Sequence, residues 1–134
     1  HCLFAGRPDS LVFYAKFKRG RDGNDTYTGR CHAVLHGDID YKDPHETEEN
    51  KAKYLIAETT IYSTVTDEWT RYAGGFTYTG TTAAKMYMLA SFTTNETPGA
   101  SYNDEFSIDD VQFIYNSGLN PLLIRGLPFR SVRR

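Results

Sequence analysis

The stretch EFSIDDVQFIYNS, residues 105–117, has two halves that disagree about which side of a strand is apolar. Phe106 and Ile108 fall on one parity before the acidic pair, whereas Val111, Phe113 and Tyr115 fall on the other after it. Side chains alternate strictly along an extended chain, so one uninterrupted strand cannot bury both sets on a single face. Either both faces are covered, or the strand is bulged at Asp109 and Asp110, where one inserted residue re-aims everything that follows. Acids at such a point turn their oxygens toward a partner, which is neighbouring backbone, a lysine or arginine, or a cation.

Working outward, the same alternation recurs without the break. Leu11, Phe13, Ala15 and Phe17 alternate with Val12, Tyr14, Lys16 and Lys18, the pattern of a half-buried strand. Cys31, Ala33 and Leu35 alternate with His32, Val34 and His36 and stop at Gly37. Residues 54–65 are β-branched and aromatic, with Leu55, Ala57, Thr59 and Ile61 on one face. Tyr72, Phe76 and Tyr78 share a parity around Gly74 and Gly75, where glycine allows a bulge or bend. Ala84, Met86, Met88, Ala90 and Phe92 complete another strand. Between these lie a turn cluster at Gly6, Pro8, Asp9 and Ser10, a loop around Asp22 and Gly23, a charged segment 38–53 that reads as a long exposed loop, and a polar loop 94–104. Six strands, two weaker candidates at the ends and no amphipathic helix predict an all-β fold, an antiparallel β-sandwich or jelly roll. The sandwich occupies 1–118, and the Gly- and Pro-punctuated segment 119–134 reads as a C-terminal tail or linker.

Composition removes several function classes. With 134 residues the chain is one domain, and a net charge of -2 gives no electrostatic case for nucleic acid or an anionic membrane. No apolar run approaches the roughly 20 residues of a membrane-spanning helix. Cys2 and Cys31 permit one disulfide without requiring it. His32 and His36 share a strand face about 13 Å apart, too far to chelate one ion together. No phosphate loop, dinucleotide-binding glycine pattern, nucleophile elbow or zinc spacing is present. Two carboxyl groups facing each other across a cleft are the requirement of glycoside hydrolysis, and Glu58, Glu68, Asp104, Glu105, Asp109 and Asp110 are the candidates. Glycan binding asks for less, an exposed ring to stack on a sugar and polar groups to fix its hydroxyls. Trp69, Tyr72 and Tyr102, with Asp104, are the candidate binding residues; for Trp69, just after a turn, core packing competes with a binding platform.

Three segments, GRPDSLVFYAKF, IAETTIYSTVTDEWTRYAGGFTY and FSIDDVQFIYNSGL, together resemble the carbohydrate metabolism domain family of Bacteroidetes, a jelly roll of the galactose-binding, carbohydrate-binding-module kind. The resemblance spans residues 4–119 and is most specific at Gly6-Arg7-Pro8, Trp69 to Phe76 and Ile108 to Val111. It implies an exported, periplasmic or cell-surface protein that binds a glycan or polysaccharide, with glycoside hydrolysis or a structural role in a surface assembly as alternatives. It implies no required cofactor, but a structural calcium with Asp110 as one ligand. Family members carry more sequence before the Gly-Arg-Pro entry, so the resemblance also implies missing N-terminal strands and a sheet edge that a homodimer would cover.

Overall fold

The structure, a computed structural model, describes residues 2–20, 28–94 and 104–115. In chain order the elements are β1 (Cys2–Phe4), β2 (Ser10–Lys18), β3 (Arg30–His36), α1 (Glu48–Tyr54), β4 (Leu55–Tyr62), β5 (Thr66–Gly75), β6 (Thr77–Tyr78), β7 (Met86–Thr93) and β8 (Glu105–Ile114). They form a five-stranded sheet in the order β1-β7-β3-β4-β6 and a three-stranded sheet in the order β5-β2-β8, with antiparallel pairing throughout. The expected all-β sandwich is what the chain forms. Tyr102 and the expected tail 119–134 lie outside the described residues.

The core is the meeting of the two inner faces. Leu11, Phe13, Ala15 and Phe17 of β2 are 0–1% exposed and face Cys31, Ala33, Leu35, Ala57, Ile61 and Met88 of the larger sheet. Each of the larger side chains contributes about 1.5–3 kcal/mol through burial. Phe13 lies at the middle, its ring centroid 5.3 Å from Phe92 and 5.7 Å from Tyr72.

The parity break in β8 is a bulge. Val12 pairs with Gln112 and Tyr14 with Asp109, so Asp110 and Val111 together oppose Phe13. Asp110 takes a φ of 57°, the left-handed region that aspartate enters more readily than most residues. The bulge keeps Phe106, Ile108 and Phe113 against the core despite their opposite parities. Val111 and Tyr115, expected to follow Phe113 inward, are instead 44% and 45% exposed, the Tyr115 ring lying along Gly6 with its hydroxyl 3.5 Å from Ala5 O. A second bulge went unforeseen. His36 pairs with Leu55 but Leu35 with Ala57, so Leu55 leaves the face of Ala57, Thr59 and Ile61 and packs outside with Val34 and Tyr41.

Segment 38–53 corrects the expectation of a long exposed loop. Tyr41 is 3% and Glu46 9% exposed, and residues 48–54 are helical. Thr47 caps α1 by accepting from Asn50 N, with Glu48 and Glu49 in the first turn and Lys51 and Lys53 in the last. None of its residues is buried, so it carries no apolar stripe by which a sequence pattern would reveal it. The preceding strap lies over the outer face of the larger sheet, where Asp43 and Tyr41 meet His32 and His36.

Glycine at 74 serves close approach. A methyl there would stand 2.5 Å from Ile61 Cγ1 and 2.6 Å from Thr59 Oγ1, where β5 crosses over β4. Phe76 N still donates to Asp9 O beside β2 at 2.8 Å, and Thr77 and Tyr78 then pair with β4 in the other sheet. Gly74→Ala is expected to lower unfolding stability by about 1–3 kcal/mol, the usual cost of overpacking. Gly75→Ala, whose methyl would meet only Asp9 O at 3.7 Å, should cost little. Urea unfolding of both variants checks the contrast, and equal tolerance would mean that the sheets do not approach as closely as described.

Candidate functional site

The outer face of the three-stranded sheet follows directly from the burial of its inner one. Because odd-numbered residues of β2 point into the core, Tyr14, Lys16 and Lys18 point away from it. Register then assigns their neighbours: Tyr14 stands between Arg71 and Asp109, and Lys16 beside Ser107. On the β5 side the pairing shifts, so that Lys16 opposes the Asp67 to Trp69 stretch. Its ammonium lies 4.6 Å from the centroid of the Trp69 ring, which places that ring on the same face. Trp69 is 48% exposed. Asp110 and Gln112 complete the row past the bulge, Gln112 Nε2 donating to Asp110 Oδ1 at 3.2 Å. Among the described residues, Lys16, Arg71 and Asp109 make no ion pair, and Arg71 and Asp109 are exposed.

The residues expected to form a site are therefore not all brought together. Trp69 is on the platform, while Tyr72, opposite Phe13, turns inward and packs on the core. Its hydroxyl reaches the rim, at 3.0 Å from both Thr64 N and Thr64 Oγ1. Asp104 tethers the start of β8 to the end of β2, accepting from Gly20 N. Tyr102 lies outside the described residues. Sequence reasoning missed Tyr14, Lys16, Arg71 and Gln112 as companions of Trp69. The polar parity of β2 was a usable signal, but the identity of its neighbouring strands was not.

On the opposite side of the molecule the strap buries a second polar group. His32 Nδ1 is 2.8 Å from Asp43 Oδ1 and Nε2 is 2.9 Å from Glu58 Oε1. Both nitrogens are engaged, so neither is open to a substrate as general acid or base. The carboxylates sit on opposite sides of the ring and do not converge on one point, and among the described residues no group of three or more His, Cys, Asp and Glu could hold a metal. Calcium takes six to eight oxygens. Asp110 offers one carboxylate, whose Oδ1 accepts from Gln112 Nε2.

His36, 0% exposed, is stacked between Tyr41 and Tyr87 at 5.2 and 5.8 Å, and its Nδ1 donates to Gly37 O at 2.7 Å. Burial holds its pKa below the ordinary 6.5. Burial first, and then the nearby carboxylates of Glu58, Glu46 and Asp43, pushes Tyr41 up to about 12. Glu46, bonded by Asn50 Nδ2 and by the backbone of Lys42 and Thr47, is drawn down to about 2.

None of the six acids considered for hydrolysis lines the cleft of about 350 Å³ at the end of the larger sheet. Glu58 belongs to the five-stranded sheet and Glu68, Glu105, Asp109 and Asp110 to the three-stranded one. Compared with known proteins, the chain matches no family, no curated protein and no solved structure. Among the described residues no helix is long and apolar enough to cross a membrane.

The His36 environment predicts a pH dependence. Between its lowered folded pKa and 6.5 the unfolded chain binds more protons than the folded one. Stability contributed by neutral His36 is thus present above 6.5 and lost as pH falls through that window. His36→Phe keeps a stacked ring but removes one of the two donors to Gly37 O, Ile39 N remaining at 2.9 Å, so it should be somewhat less stable at neutral pH and lose less on acidification. Urea unfolding above and below 6.5 tests this; an undiminished acid slope in the variant would assign it to other groups.

Proposed function

We propose that this chain is a non-catalytic glycan-binding domain of an exported bacterial protein, a jelly roll of the carbohydrate-binding-module kind, that binds its ligand on the outer face of the three-stranded sheet. The observation that carries the reading is the half-exposed Trp69 ring on a face that also presents exposed Arg71 and Asp109, with Tyr14 and Lys16 between them. A pyranose stacks its C–H face on such a ring, and the flanking donors and acceptors bond its hydroxyls. The Lys16 ammonium occupies the place a sugar would take. Its contact with the ring amounts to about 0.5–1 kcal/mol at an exposed site, little enough for the flexible stem to swing aside. The resemblance to the Bacteroidetes family supports the same ligand class. Hydrolysis has less support, since none of the candidate acids lines the cleft.

The chain has one tryptophan, so its emission reports on this face. Screening a glycan array with and without calcium, followed by fluorescence titration of any hit, is the test. Trp69→Ala should weaken binding by about 2 kcal/mol, roughly thirtyfold, while leaving unfolding stability nearly unchanged. Binding that survives the substitution would remove this face from the reading, and an array without a hit in either condition would remove glycan binding itself. Calcium enters as a proposal through Asp110: a calcium-dependent hit should become calcium-independent or vanish in Asp110→Asn.

A further inference from the structure

At the other end of the molecule three segments converge on the cleft of about 350 Å³: the end of β3 at Gly37 and Asp38, the junction of α1 and β4 at Lys53 and Tyr54, and the connection from β6 to β7 at Thr81 to Lys85. Its volume lies within the range of small-molecule sites. Hydrogen bonds within the fold hold its walls. Gly37 N donates to Tyr54 O at 2.9 Å, Thr79 Oγ1 donates to Leu55 O at 2.6 Å, and Thr81 N donates back to Thr79 Oγ1 at 3.2 Å. Gly80, with a φ of 95°, reverses the chain between them. Gly37 itself has no need of glycine's backbone freedom. A methyl there would meet Tyr54 Cδ1 at 3.3 Å and Ala83 Cβ at 3.5 Å, so its missing side chain keeps the floor of the cleft clear.

The lining has a definite chemistry. Two basic residues, Lys53 and Lys85, line it beside a single acid, Asp38. Lys53 is shared with Glu49 at 3.6 Å, whereas Lys85 makes no ion pair among the described residues. Thr81 and Thr82 offer hydroxyls, and Tyr54, Ala83 and Ala84 an apolar wall. Two cations, three groups suited to hydroxyls and an apolar side, in a space of this size, match one acidic sugar residue. We propose that this cleft binds a sugar acid, its carboxylate held by Lys85 and Lys53 and its hydroxyls by Asp38, Thr81 and Thr82. The cleft and its charge stand independently of the Trp69 face. The choice of a sugar over another small acid rests on the glycan-binding reading above.

Calorimetric titration of the full chain with D-glucuronate and D-galacturonate, beside the corresponding neutral sugars and inorganic phosphate, tests it. A uronate should bind measurably more tightly than both its neutral counterpart and phosphate. Lys85→Ala should weaken it about tenfold or more, as expected for loss of a charge-assisted hydrogen bond. Trp69→Ala should leave it unchanged. Lys85 is exposed, so its truncation does not endanger the fold; Gly37→Ala provides a second variant that narrows the floor without altering charge and should also weaken the uronate. Phosphate binding as tightly as uronate would reduce the cleft to an anion site and overturn the proposal, as would uronate binding that Lys85→Ala leaves intact or that Trp69→Ala abolishes. Absence of uronate binding overturns it as well, and leaves the Trp69 face to be judged by the glycan array alone.

Discussion

The inward burial of β2 is the constraint from which the rest follows. Leu11, Phe13, Ala15 and Phe17 form one side of a central strand, and Phe13 packs beside Tyr72 and Phe106 of its own sheet and crosses to Phe92 of the facing one. Once that side is committed to the core, alternation leaves Tyr14, Lys16 and Lys18 no choice but the outside. Pairing on both flanks then transmits the choice to β5 and β8, so the position of Trp69, Arg71 and Asp109 is a consequence of packing two layers away. Core and candidate site are two readings of a single periodicity.

The two outer faces have different fates. On the five-stranded sheet the strap covers β3 and β4, filling the space above Val34 and Leu55 with Tyr41 and engaging both histidines. Asp43, Glu58 and Glu46 all find hydrogen-bonding partners there. On the three-stranded sheet Val12 is buried, while Trp69, Arg71 and Asp109 stay exposed. Polar side chains on the first face are used up in holding the protein to itself, and those on the second remain available. That contrast, more than the residue types present, is what separates a structural face from a binding one.

How much of this was legible in the sequence depended on the range of the interaction. Period-two alternation is local, and it located β2, β3, β4 and β7. The parity break is local too, and it announced a bulge in β8 within one residue of where Asp110 and Val111 oppose Phe13. The shift at Leu55 was hidden because leucine suits either face, so the apolar pattern continued smoothly through the bulge. The strap was hidden for a different reason: its anchoring contacts are polar and join Asp43 to His32 and Tyr41 to His36, pairings that charge-rich composition disguises as a solvated loop. Trp69 and Tyr72, adjacent candidates in the sequence, were separated by an alternation that the sequence did show, since an odd spacing on a strand divides them between faces.

The cysteines bear on what holds the two sheets together. Cys31 is buried in β3 with its thiol pushed up to about 12 by burial, and Cys2 is exposed on the edge strand β1; both are free. Neither takes part in a cross-link, and the thiolate that exchange chemistry needs is suppressed at the buried one. Within the chain no disulfide ties the two sheets together, so what joins them is packing across the core, with strand pairing holding each sheet.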